Sequence, residues 1–127
     1  MPYGYKKQVA LSYSDAINKT RQELQKEGFG VLTEIDVKAT LKKKLNVDFD
    51  NYIILGACNP PFAYKSLQAE KDIGLLLPCN LIVYETGGKT FVSSILPTEA
   101  MSMVHNDSLR DVAIQVEIKL KKVIDSI

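Results

Sequence analysis

Apolar and polar positions change period along the chain, and the changes predict its elements. Tyr5 to Leu11 reads as a first strand, and Ser12 or Ser14 can cap the helix that follows. Ile17, Thr20 and Leu24 fall on one face of that helix, with Ala16 at the margin. Gly28 suits the position just past a helix end, so the helix is expected over about Asp15 to Glu27. Phe29 to Ile35 reads as a second strand. Asp36 is a natural N-cap, and Val37, Leu41 and Leu45 recur every four residues, which predicts a short helix ending near Asn46. Tyr52 to Ala57 is an apolar run of strand length, stopped by Pro60-Pro61.

Asn59 followed by Pro60 resembles a helix start, with Phe62 to Lys71 as the body. Ala63, Leu67 and Tyr64 are expected to face inward. Asp72-Ile73-Gly74 breaks this helix, and Ile73 to Leu77 reads equally as strand or loop. Leu81 to Glu85 and Thr90 to Leu96 are the clearest strands. Gly87-Gly88 between them supplies the positive φ that a hairpin demands. Pro97-Thr98 opens a short helix through about Val104, and a last helix starts near Asp107 or Ser108 and runs to the C-terminus.

The order βαβαβαββαα, with one forced antiparallel pair, predicts an α+β fold. We expect a mixed or antiparallel sheet of about five strands with helices packed on it, and a single domain over 1–127. In the last helix Leu109, Val112, Ala113, Val116, Leu120, Val123 and Ile127 project within about 60° of one direction, which marks the core face. Ile114 and Ile118 point elsewhere, among Asp111, Lys121 and Asp125. They read either as a second layer of the same core or as a subunit interface.

Composition narrows the function classes. The chain is 46 % hydrophobic and 24 % charged with a net charge of +1, so no overall field favours nucleic acid, membrane or an acidic ligand. Lys42-Lys43-Lys44 is the one basic run, and it suits the last turn of a helix. No apolar run is long enough to span a membrane. Met1-Pro2-Tyr3-Gly4-Tyr5 is not followed by an apolar h-region, so no secretion signal is expected. Two cysteines do not make a disulfide framework, and the expected compartment is the cytoplasm.

The densest chemistry lies in Ile54 to Pro61 and Gly74 to Asn80, each ending an apolar run with Cys-Asn beside proline. Cys58 precedes a helix N-terminus, where free N–H groups lower a thiol pKa and attract anions. Three readings compete. Cys58 and Cys79 are small core residues, or they serve a ligand or redox site, or they bind metal. Metal is weakest, because His105 alone could add a nitrogen and no Cys-x-x-Cys exists. If their strands run antiparallel, the thiols share one end of the sheet; if parallel, they lie at opposite ends. His105 reads as an exposed loop histidine. Glu34, Asp36 and Glu85 are acids that caps and strand ends explain as well as a pocket does. No nucleotide loop or metalloprotease motif is present.

Gly28 to Asp36, Ile54 to Pro61 and Gly74 to Asn80 together resemble the family called domain of unknown function 302, in order and over nearly the whole chain. The family motif residues here are Gly56, Cys58, Asn59, Pro60, Gly74, Pro78, Cys79 and Asn80. The resemblance implies an α+β architecture similar to the TATA-binding protein and a homodimer, and it implies no activity. Some relatives carry His where this chain has Tyr64, so the departure weakens a general metal or acid–base role. Two functions follow as expectations. One is a homodimeric binding module for a small or anionic ligand held near Cys58, Asn59, Cys79 and Asn80, with Asn59 capping the helix and Ile114 and Ile118 at the interface. The other is a thiol-dependent redox protein or enzyme using Cys58 and Cys79. Neither requires a cofactor, a metal, nucleic acid or a membrane.

Overall fold

Ser12 accepts a hydrogen bond from the Asp15 amide and so fixes where the first helix begins. It follows a strand, β1 (Gly4–Val9), and runs as α1 (Tyr13–Lys26) until Gly28, at φ 84°, turns the chain out. The computed structural model describes residues 2–127; Met1, which opens the segment read for a secretion signal, lies outside them. Next come β2 (Gly30–Asp36), α2 (Val37–Leu45), β3 (Tyr52–Cys58) and α3 (Pro60–Ala69). A 3-10 helix, Lys71–Leu76, occupies the stretch that reads as strand or loop. The Leu77–Pro78 peptide bond is cis. Then follow β4 (Cys79–Thr86), β5 (Lys89–Ile95), α4 (Pro97–Ala100) and α5 (Asp107–Asp125). α4 is shorter than expected, because the chain passes into turns after Ala100.

The five strands form one sheet in the order β1-β5-β4-β3-β2, and every neighbouring pair is antiparallel. Gly87 and Gly88 both take positive φ, 58° and 74°, which makes the β4–β5 hairpin tight. α1 and α5 cover one face of the sheet. There Leu55, Leu81, Val83 and Val92 meet Ala16, Leu24, Val116, Leu120 and Ile124 in the main core. Burying such side chains contributes roughly 1.5–3 kcal/mol each before entropy is counted. A smaller core gathers Ile73, Met101, Leu109 and Ala113 under the 3-10 segment and α4. On the other face of the sheet Tyr52, Tyr84 and Phe91 stack across three strands, with Lys6 over the rings.

Three expectations are corrected. Tyr64 faces solvent, while Ser66 is the buried residue of α3. Leu45 is exposed; Val37 and Leu41 are half-buried where α2 packs on β2 and β3, and no side chain of α2 is fully buried. Ile114 and Ile118 do not form a second core layer, because both lie on the outside of α5. No helix among the described residues is long and apolar enough to cross a membrane.

Candidate functional site

Antiparallel pairing of β3 and β4 decides where the two thiols lie. Ala57 pairs with Cys79 across the ladder, and Cys58 is the next residue along β3, opposite Gly30 of β2. Cys58 and Cys79 therefore share one end of the sheet. Both are free thiols, both are half-buried, and both line one cavity of about 380 Å³. Burial, and then the neighbouring Cys58, push the Cys79 thiol up to about 11. A neutral thiol at this place is a small, weakly polar wall rather than a nucleophile.

The cavity sits at the seam between the two cores. Phe29, Ala57, Val112 and Val116 form the side toward the main core, and Met101, Ala113 and Leu77 the side toward the smaller one. α3 closes it over the top with Phe62, Ala63, Ser66 and Leu67. Leu32, 69 % exposed, and Leu67, 40 % exposed, also line it, so the opening is bordered by leucines. Leu32 reaches this position because the β2 ladder is irregular between Val31 and Thr33, as in a β-bulge.

Two polar side chains of the lining donate within the chain. Ser66 Oγ donates to the Phe62 carbonyl at 2.8 Å. Asn59 Nδ2 donates to the Glu27 carbonyl at 3.2 Å. Asn59 thus occupies the N-cap position of α3 without a side-chain capping bond, contrary to expectation. Pro60 and Pro61 bring no N–H to the first turn, and the Ala63 amide donates to the Asn59 carbonyl. Of the donors that an anion would need there, one backbone amide, that of Phe62, is left. Among the described residues no charged side chain lines the cavity.

The remaining candidates separate from this site. Asn80 pairs with Gly56, is exposed, and does not line the cavity. His105 is an exposed loop residue. Asp36 caps α2 through the Ala39 amide, Glu34 pairs with Arg21, and Glu85 accepts from Asn51. Among the described residues no group of three or more His, Cys, Asp or Glu side chains is placed to hold a metal ion. Sequence reasoning missed Leu32, Ser66, Met101 and the α5 residues of the lining. Their signals were ordinary apolar or small-residue positions, and only packing brings them together.

No curated protein matches the sequence. A family model described as "Domain of unknown function DUF302" matches residues 5–127. The fold is similar to the crystal structure of an uncharacterized conserved protein, DUF302, from Bacillus stearothermophilus. The two share 31 % sequence identity at a TM-score of 0.92, over 98 % of this chain and 97 % of that one. The chain belongs to the DUF302 family.

Proposed function

Taking the chain as a member of that family, we propose that it is a binding module for one small, uncharged, largely apolar molecule held between α3, α5 and the Cys58–Cys79 end of the sheet. The cavity carries this reading: its volume of about 380 Å³ falls in the range of small-molecule sites, about 300–1,000 Å³. Its walls are largely apolar, and Ser66 Oγ and Asn59 Nδ2 donate to carbonyls of the chain itself. An anionic ligand is the weaker form of the idea. It would give up its hydration for a site with one free backbone donor and no cation. Cys58 and Cys79 supply polarizable contacts at the inner wall. A homodimeric state belongs to the same reading, supported by apolar side chains that a single chain leaves uncovered.

The thiol-redox alternative draws on one observation, the placing of both sulfurs in one cavity. The raised Cys79 pKa counts against it, because a resolving thiol must ionise to attack.

Titration with the neutral fluorophore N-phenyl-1-naphthylamine, beside calorimetry with inorganic phosphate, tests the proposal. The dye should bind and brighten, phosphate should give no heat of binding, and Ala63→Phe should weaken dye binding while leaving the fold intact by circular dichroism. Phosphate binding without dye binding, or dye binding indifferent to Ala63→Phe, would overturn the reading.

A further inference from the structure

Alternation along a strand sends successive side chains to opposite faces, so the register of the sheet sorts its residues into two sets. Leu55, Leu81, Val83 and Val92 belong to the set that α1 and α5 cover. The other set reads in rows across the strands. One row is Tyr52, Tyr84 and Phe91, whose rings stack at centroid distances of 5.4 and 5.3 Å. The next is Ile35, Ile54, Ile82, Ser93 and Lys6. A sheet face made for water carries polar residues at such positions. Here β3 is apolar on both faces from Tyr52 to Leu55. Ile35 is 48 % exposed, and Phe49, whose ring lies against that of Tyr52, is 45 % exposed. A contiguous apolar face of this kind marks an interaction surface.

We propose that two copies of this chain pack these sheet faces together, related by a two-fold axis that runs along β4. This contact assigns a surface to the homodimer proposed above and does not depend on what the cavity holds. Five strands at about 4.8 Å spacing, with about six residues at about 3.3 Å rise, span roughly 500 Å² in projection. Side-chain relief raises the accessible area toward the roughly 600–1,000 Å² per partner of a specific interface. Sheets stack face to face with their strands nearly aligned, which an axis along the strands permits.

Charge selects a second copy and this axis. β4 is the middle strand, so the rotation exchanges β5 with β3 and β1 with β2. Pairing continues just past the start of β3, where the Glu85 amide donates to the Asn51 carbonyl at 3.0 Å. Asp50 therefore stands level with Thr86, and Thr86 pairs with Lys89. Asp50 and Lys89 are both exposed, and neither belongs to an ion pair among the described residues. The rotation sets Lys89 of each copy over Asp50 of the other, and Lys6 over Ile35. An axis across the strands would set Lys6 on Lys6, because Lys6 sits midway along β1. Single-stranded nucleic acid is a poorer occupant. The stacked rings turn their faces to one another rather than to a base, and Lys6 Nζ already donates to the Tyr84 hydroxyl at 2.9 Å.

Sedimentation velocity of the full chain over a micromolar concentration range, beside fluorescence anisotropy of a labelled oligo(dT), supplies the test. The wild type should be a dimer and should leave the oligonucleotide free. Ile82→Glu should raise the dissociation constant at least about tenfold with unchanged circular dichroism, as removal of a central apolar contact does. Lys89→Glu should weaken the dimer several-fold, and adding Asp50→Lys should restore it, which a structural role of either residue alone would not do. Ile118→Glu on α5 should leave the dimer unchanged. A wild type that stays monomeric removes the homodimer altogether. A dimer that ignores Ile82→Glu, or dissociates with Ile118→Glu, removes the sheet contact while the homodimer stands. Loss on Lys89→Glu without recovery on Asp50→Lys overturns the axis along β4. Oligonucleotide bound by the wild type and released by Ile82→Glu assigns the face to nucleic acid and overturns the pairing. Should Ile82→Glu fail to fold, Ile35→Lys, at an exposed position brought over Lys6 of the other copy, decides in its place, and an unchanged dimer overturns the proposal.

Discussion

Asn59 Nδ2 donates to the carbonyl of Glu27 at 3.2 Å, tying the start of α3 to the end of α1. Gly28 passes so close that a Cβ there would lie 3.2 Å from the same Nδ2. The Cys-Asn-Pro-Pro segment is therefore a clamp between two helices before it is anything chemical. Asn59 is buried, so losing its bond leaves an unpaired carbonyl. Asn59→Ala should cost about 1–3 kcal/mol in urea unfolding. Asn59→Asp should cost at least as much, since a carboxylate replaces the donor opposite a carbonyl. An Asp variant as stable as wild type would show that the tie carries no weight.

Gly56 is also closed in. A Cβ on it would lie 2.8 Å from Pro78 Cγ and would overlap Thr33 Oγ1. Gly56→Ala should therefore destabilise by about 1–3 kcal/mol, the usual scale of overpacking. Thr33→Ser should not relieve the clash with the ring of Pro78, whereas Pro78→Ala in the Gly56→Ala background should recover part of the loss. Thermal melts of wild type, Gly56→Ala, Pro78→Ala and the double variant measure this, and strict additivity of the two substitutions would contradict it.

Cys79 makes stability depend on pH in the alkaline range. The folded chain holds its thiol proton up to about 11, against an ordinary value of 9.0. Between those values the unfolded chain binds fewer protons than the folded one, so stability falls as pH rises through that window. Below about pH 9 this group adds no slope. The full effect is at most about 2–3 kcal/mol. Urea unfolding at about pH 8 and about pH 10.5 should show a smaller loss for Cys79→Ala than for wild type. Equal losses would mean that the thiol ionises as easily in the folded chain as in water.

Glu117 governs one wall of the cavity from a distance. Its Oε1 accepts from the Thr98 amide at 3.1 Å and from the Thr98 hydroxyl at 2.7 Å, closing the start of α4. Pro97 and Met101, at the two ends of this short helix, line the cavity. Glu117→Ala should lower stability by about 0.5–2 kcal/mol, the scale of a lost helix cap. Amide hydrogen exchange should rise around 98–101 and remain unchanged in β3 and β4. Uniform acceleration across the chain would indicate a general loss of stability instead.

Much of this protein was legible as a string. Periodicity marked all five strands and the order of the helices, because a buried face imposes its own spacing on whatever covers it. Gly28, Gly87 and Gly88 were legible for a backbone reason, since each takes a positive φ. Cys58 and Cys79 were legible as a pair of similar segments, but not as neighbours. The hairpin forced β4 against β5 and left the sense of β3 against β4 open.

Pairing β3 antiparallel to β4 put the thiols at one end of the sheet, and that pairing depends on residues far apart in sequence. The same holds for the cavity, whose walls come from β2, α3, α4 and α5 as well. Asn59 shows the limit at a single residue: its neighbours predict a cap, while a carbonyl thirty-two positions earlier takes the bond. Local rules determine which elements form, since helices and strands satisfy their own backbones. Which side chains then face one another was decided by packing between distant segments, and the cavity, the clamp and the bare apolar face of the sheet all belong to that second decision.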